Sequence, residues 1–250
     1  MTQGDRMALL DEAVSDFAHQ SFPDRELLIL HDGSNEIHAA LLDFPRRYPD
    51  AAIRLHQAPS GHSLGQLRNI SLDLAQGDWI CQWDDDDRYH PDRLALQWAQ
   101  LCAEGAQACF LVDQLHWLRR EGLIFWTDWD REPYPMNVVQ GTLLALRDIL
   151  PRYPDLPRGE DTGLTHALMR AAARGEIKIA RLKDAGWCTI YTHHGTNVWG
   201  QDHHAAIIAA KHLGPARLLP RLHRLRAELA RYRPALPTLR TMLGGALQSL

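Results

Sequence analysis

Trp79-Ile80-Cys81-Gln82-Trp83 runs directly into Asp84-Asp85-Asp86-Asp87. A short apolar run of this kind reads as a strand, and the four acids concentrate negative charge at its carboxyl end. In an open α/β sheet that end faces the ligand crevice. Charge so dense is costly unless a cation offsets it, and oxygen-only donors favour Mg²⁺ or Mn²⁺. These ions use few protein carboxylates and complete their shells with substrate phosphates, so the natural partner is a nucleoside diphosphate. The competing interpretation is a solvated acidic turn. The apolar strand before the acids and His90-Pro91 after them favour a site.

Around this corner the chain alternates strands and helices. Glu26-Leu27-Leu28-Ile29-Leu30-His31 reads as a strand closed by Asp32-Gly33-Ser34-Asn35, and residues 51–56 as a second, weakly alternating one. Leu64, Leu67, Ile70 and Leu74 fall at helical spacing, predicting a helix from about Ser63 to Gln76 that Gly77 ends. Pro91 suits the first turn of another helix reaching about Glu104. Residues 108–118 and 123–127 read as a hairpin joined by Arg119-Arg120-Glu121-Gly122. Residues 141–146 and 187–192 are further strands, with a helix after Glu160-Asp161. The pattern predicts an α/β fold with a mixed, mainly parallel sheet flanked by helices.

The 250 residues allow one large domain or two small ones. A net charge of −4 and a pI near 6.4 argue against nucleic-acid binding. The charge is uneven. Residues 205–250 hold eight Lys/Arg against Glu228 alone, net +7, which leaves −11 for residues 1–204. The division expected is therefore a body over 1–204 and a basic helical extension over 205–250. In that extension Leu222, Leu225, Leu229 and Tyr232 line one helical face beside Arg221, Arg224 and Arg231. Such a helix can rest on anionic lipid or pack on the acidic body. Cys81, Cys102, Cys109 and Cys188 show no CxxC pairing, and the first residues lack a signal-peptide pattern, so a reduced, cytoplasmic protein is expected.

The order of motifs resembles family 2 glycosyltransferases of the GT-A fold. The resemblance rests on residues 13–22, the Glu26–Ser34 strand with its "DDGS"-like turn, and Leu64-Gly65-Gln66-Leu67-Arg68-Asn69. It continues through Ala75-Gln76-Gly77-Asp78, the four aspartates with His90-Pro91-Asp92-Arg93-Leu94, Gly141–Arg147 and Arg158-Gly159-Glu160-Asp161. It spans about residues 8–200.

This resemblance implies an inverting transferase that moves a sugar from a nucleoside-diphosphate donor, most simply a UDP-sugar, to a saccharide or lipid-linked acceptor. It implies Mn²⁺ or Mg²⁺ as cofactor and a place in cell-surface polysaccharide or glycolipid synthesis. Asp32 would bond the nucleobase and Arg68 would lie near the nucleotide. Asp84 and Asp86 match the two acids of the DxD motif, the second being the firmer metal ligand. Asp85 or Asp84 would reach the ribose, and Asp87 would hold the loop or cap the next helix. Asp161 matches the acid that takes the acceptor's proton, a position that also suits capping a helix near Thr162. From the late loop His193-His194-Gly195 we assign His194 as an extra metal or diphosphate ligand, although the sequence does not separate it from His193. Trp126, Trp129 and Tyr134 offer stacking surface for an acceptor sugar, although Trp126 sits in an apolar strand and suits a core role equally well. The alternative is a non-catalytic sugar-nucleotide or partner-binding module on the same fold.

Two departures from the family pattern stand out. His31 replaces the first Asp of "DDGS". The family opens with an apolar strand inside the sheet, whereas here a helix begins within the first ten residues and residues 1–5 resemble the end of the loop after that strand. The expectation is a native start upstream of Met1, because a sheet lacking that strand leaves two neighbours with unpaired backbone groups.

Overall fold

The structure, a computed structural model, describes residues 6–250; the expected loop remnant at 1–5 lies outside the described residues. The first half alternates strands and helices. α1 (Met7–Ala18) leads to β1 (Glu26–His31), α2 (Asn35–Leu41), α3 (Asp43–Arg47), β2 (Ala52–Gln57), α4 (Leu64–Leu74), β3 (Trp79–Cys81), β4 (Arg88–Tyr89) and α5 (Arg93–Glu104). Then come β5 (Ala108–Leu111), β6 (Asp113–Leu118), β7 (Leu123–Asp128), β8 (Leu144–Leu146), α6 (Glu160–Ala173), β9 (Ile179–Leu182) and β10 (Thr189–His193). The chain closes with α7 (Gln201–Lys211), α8 (Pro215–Leu218), α9 (Leu222–Leu229), β11 (Arg240–Leu243) and β12 (Ala246–Ser249).

Local chemistry accounts for the boundaries. Ser63 and Gln66 form a reciprocal capping box that starts α4, and Gly105, at φ 60°, ends α5 in the left-handed conformation that glycine adopts at least cost. Residues 108–118 are not one strand: Val112 separates β5 and β6, which enter different sheets. The predicted hairpin holds, with β6 and β7 antiparallel from Asp113↔Asp128 to Leu118↔Leu123.

Strands form a parallel pair β1-β2, a four-stranded sheet β3-β8-β5-β9 and a six-stranded sheet β12-β11-β7-β6-β10-β4. The fold is the expected α/β arrangement, but the sheets are mixed rather than mainly parallel, since β8 inserts antiparallel to both β3 and β5. The reason is topological: the β6-β7 hairpin and the returns to β4, β8 and β12 give antiparallel neighbours, while the longer connections, among them the one through α6 to β9, give parallel ones. Among the described residues β1 pairs with β2 alone and β3 with β8 alone. A small slot of about 20 Å³ lies beside β1, walled by Leu10, Leu27, Ile29, Trp83 and Asp85.

Residues 205–250 pack into the main core. Leu222, Leu225, Leu229 and Tyr232 are buried in a cluster with Trp187, Leu115 and Ile124, and the Tyr232 hydroxyl donates to the Trp187 carbonyl at 2.7 Å. The arginines meet the acidic body: Arg231 lies 2.6 Å from Asp92, Arg221 pairs with Asp184 and Arg217 with Asp128. The apolar face that would meet lipid is thus covered by protein. The extension is also not wholly helical, because β11 joins the sheet beside β7 and β12 folds back on it. No helix among the described residues is long and apolar enough to cross a membrane. Leu225→Ala should cost about 2–5 kcal/mol by leaving a cavity in this cluster. Chemical denaturation of the full chain checks this, and an unchanged midpoint would show that the helix is not integral to the core.

Candidate active site

After β3 the backbone turns sharply, and aromatic packing fixes the turn. Trp83 and Tyr89 lie with ring centroids 3.9 Å apart. The buried Arg93 guanidinium covers both rings and donates to the Gln82 carbonyl at 3.0 Å. The Asp84 amide donates to the Tyr89 hydroxyl at 2.7 Å. Held this way, the four aspartates point in different directions.

Asp84 has both oxygens occupied, accepting from Arg68 at 2.9 Å and from Gln82 at 3.0 Å. Burial disfavours its charge, but Arg68 and the Gln82 amide outweigh that and hold the carboxyl below its ordinary value. Both Asp84 oxygens are thus engaged by protein donors. Asp85 lies in the wall of the slot beside β1, 3.7 Å from Arg6. Asp86 Oδ2 meets His194 Nε2 at 3.1 Å and accepts from Arg6 at 2.7 Å. Asp87 accepts from the Thr192 amide at 2.8 Å, tying the corner to β10. Burial and the charges of Asp86 and Asp84 raise its pKa well above the ordinary value. Its role is to hold the loop, one of the two options the sequence left open.

Arg68 is the hub. The motif around it has a steric logic: a Cβ on Gly65 would lie 1.9 Å from the Pro154 carbonyl oxygen, so only glycine lets α4 approach the 153–156 segment this closely. Asn69 then reads that segment's backbone, bonding both the carbonyl and the amide of Tyr153 at 2.9 Å. Between these contacts Arg68 donates through Nε to Glu160 at 2.6 Å and through Nη2 to Asp84, with its guanidinium 5.7 Å from the centre of the Tyr153 ring. One guanidinium thus joins the acidic corner to the start of α6.

Asp161 sits in the first turn of α6 and accepts from the Thr162 amide at 2.7 Å. It is not the cap, since Gly159 holds that position with φ 72°. Burial raises the Asp161 pKa, opposed by Arg68 and reinforced by Glu160 and Asp84, and the net shift is upward. A carboxylate with raised proton affinity suits proton transfer near neutral pH.

The late loop separates the two histidines. His194 faces Asp86, and its other ring nitrogen lies 3.0 Å from the Thr196 hydroxyl. His193 turns the opposite way and packs on His204, with ring centroids 4.4 Å apart. Asp32 follows β1 directly, half-buried, and its carboxylate makes no hydrogen bond among the described residues. Its neighbour His31 is buried and bonds His38 at 3.0 Å.

Of the aromatic candidates, Trp126 is buried and donates to Asp113 at 2.8 Å, which makes it core, the second of the two roles open to it. Trp129 is partly covered by Lys211, whose ammonium is 4.6 Å from the ring centre. Tyr134 is exposed. Sequence reading missed Glu160, Gln82 and Arg6 as site residues. Only Glu160 carried a signal, as the immediate neighbour of Asp161.

Comparisons with known proteins bear on the family and the fold. The family model described as "Glycosyl transferase family 2" matches residues 6–129. An uncharacterized glycosyltransferase of Haemophilus influenzae is 32% identical over 92 residues, which is 35% of this chain and 35% of that protein. The match thus spans about a third of this relative's length. Crystal structures under 25% identical share the fold. S. aureus TarS 1-349 in complex with UDP-GlcNAc has a TM-score of 0.61 at 15% identity, covering 92% of this chain and 65% of that one. The mannosyltransferase PcManGT of Pyrobaculum calidifontis, in complex with GDP-Man and Mn²⁺, has a TM-score of 0.58 at 16% identity, covering 94% of this chain and 74% of that one. Residues 6–129 of the chain thus match glycosyl transferase family 2, within a fold of the GT-A type.

Proposed function

We propose that this chain transfers a sugar, with inversion, from a nucleoside-diphosphate donor to an acceptor hydroxyl. The observation that carries the reading is the meeting of Asp86 and His194 at the acidic turn, on which Arg68 also ties Asp84 to Glu160, the residue next to Asp161. The donors bound in the TarS and PcManGT complexes, UDP-GlcNAc and GDP-Man, support a nucleotide-sugar substrate. A saccharide or lipid-linked acceptor, a role in polysaccharide or glycolipid synthesis, and a cytoplasmic location remain part of this proposal.

The donor set fits a divalent ion. Asp86 supplies a carboxylate and His194 an imidazole, and among the described residues no group of three His, Cys, Asp or Glu forms a closed cage. Two protein donors leave the other positions to phosphate oxygens and water, the pattern that suits Mg²⁺ and Mn²⁺. Mn²⁺ in the PcManGT complex supports the same choice. When bound, the ion would stabilise charge on the departing diphosphate.

The chain's own residues do the rest. Asp32 and Asp85 are assigned to the nucleoside, Asp32 at the base and Asp85 at the ribose. Asp84 and Arg68 keep the corner in position rather than facing the ion. Asp161 accepts the proton of the acceptor hydroxyl as its oxygen attacks the anomeric carbon and the bond to the diphosphate breaks. A donor screen that monitors nucleoside-diphosphate release tests this. Consumption of at least one nucleotide sugar, faster with acceptor present, is expected; no consumption of any donor with either ion would favour a binding module.

A further inference from the structure

Arg6 stands at the N-cap of α1 and extends its side chain across the acidic corner. Its Nη1 lies 2.7 Å from Asp86 Oδ2 and 3.7 Å from Asp85 Oδ1, and its Nη2 donates to the Thr196 carbonyl at 3.2 Å. The side chain is only 11% exposed. The oxygen it holds is the one that faces His194. A single carboxylate oxygen therefore serves both a guanidinium and the imidazole assigned to the cation.

Four consecutive aspartates in a largely buried turn need positive charge nearby. Arg68 supplies it at Asp84, on the protein side. Arg6 supplies it at Asp86, on the side where a divalent ion would bind. A carboxylate oxygen engaged by a guanidinium at hydrogen-bond distance must give up that bond to coordinate a metal, and two cations on one oxygen repel strongly where water is scarce.

We propose that Arg6 is a resident counter-cation that holds Asp86 when no divalent ion is bound and competes with the ion for it. The inference rests on the reading of Asp86 and His194 as cation ligands. It adds a consequence for the late loop. The guanidinium that grips Asp86 also grips the Thr196 carbonyl, so displacing it frees that carbonyl in the same event, while Asn197 still holds the turn through His194 and Thr192.

The test is direct titration of the full chain with Mn²⁺ alone, following the electron paramagnetic resonance signal of free Mn²⁺. Wild type, Arg6→Ala, Arg6→Gln and Asp86→Asn are compared. Arg6→Gln removes the charge but keeps a donor for the Thr196 carbonyl, and thermal melting confirms that each variant is folded. Both Arg6 variants should bind Mn²⁺ about tenfold more tightly than wild type, a change on the order of 1.4 kcal/mol, while Asp86→Asn binds more weakly. Measurable affinity that is unchanged or weaker in the Arg6 variants would overturn the competition and leave the cation reading intact. No Mn²⁺ uptake in any protein, the Arg6 variants included, would remove the cation reading and the inference with it.

Discussion

Asp161→Asn should give a folded protein that still binds its nucleotide sugar but turns it over about 10²–10⁴-fold more slowly, the usual contribution of a positioned proton acceptor. The amide keeps the size of the side chain and an oxygen that can accept from the Thr162 amide, so the first turn of α6 is not at risk. What it loses is the ability to take a proton. The pH dependence carries the same information. The acceptor acts only when deprotonated, so activity falls as pH drops through its pKa. Burial, Glu160 and Asp84 place that pKa above the ordinary aspartate value despite Arg68. The acid limb of the rate profile should therefore lie above the ordinary aspartate value in wild type and vanish in the Asn variant. Single-turnover rates across pH check both statements. An Asn variant with the wild-type rate and profile would show that another group takes the proton.

The second large effect is expected at Arg68. Glu160 is 2% exposed and has Arg68 as its charged partner at 2.6 Å, while Asp84 has the same guanidinium at 2.9 Å. Arg68→Met fills the space but strands both carboxylates. Removing one member of a buried ion pair costs about 3–5 kcal/mol because the remaining charge stays desolvated. Glu160→Gln in the same background removes one stranded charge and should return part of that stability. Activity should not return with it, since the link between the acidic corner and Asp161 is still cut. Urea denaturation of wild type, single and double variants measures the stability, and donor turnover measures the rest. If Arg68→Met proved as stable as wild type, the guanidinium would not be the strut that its contacts describe.

Much of this organisation is legible in the chain itself, for identifiable reasons. The acidic corner is readable because an apolar strand ending in charge has few physical solutions. α4 is readable because Leu64, Leu67 and Leu74 repeat at helical spacing and Ser63 and Gln66 form its cap. Which aspartate does what is not readable. Consecutive residues on a turn point in unrelated directions, and here Trp83, Tyr89 and Arg93 set those directions.

Long-range charge pairs are equally hidden. Arg6 meets Asp86 from 80 positions away and Arg68 meets Glu160 from 92, and no local pattern marks either pair. The C-terminal helix shows a third limit. Its apolar face is plain in the sequence, but apolarity alone does not distinguish lipid from a protein core, and Leu222, Leu225 and Leu229 turn out to be buried beside Trp187. β11 and β12 escaped notice because a four-residue strand is defined by its partner rather than by its own composition.

The central claim is that Asp86 and His194 bind a nucleoside diphosphate through a divalent ion. Calorimetric titration of UDP and GDP into wild type and Asp86→Asn, each with and without Mn²⁺, tests it most directly. The account predicts that one nucleotide binds wild type tightly only when Mn²⁺ is present, and that Asp86→Asn loses this metal-dependent gain. Equal binding with and without Mn²⁺ in both proteins would contradict it.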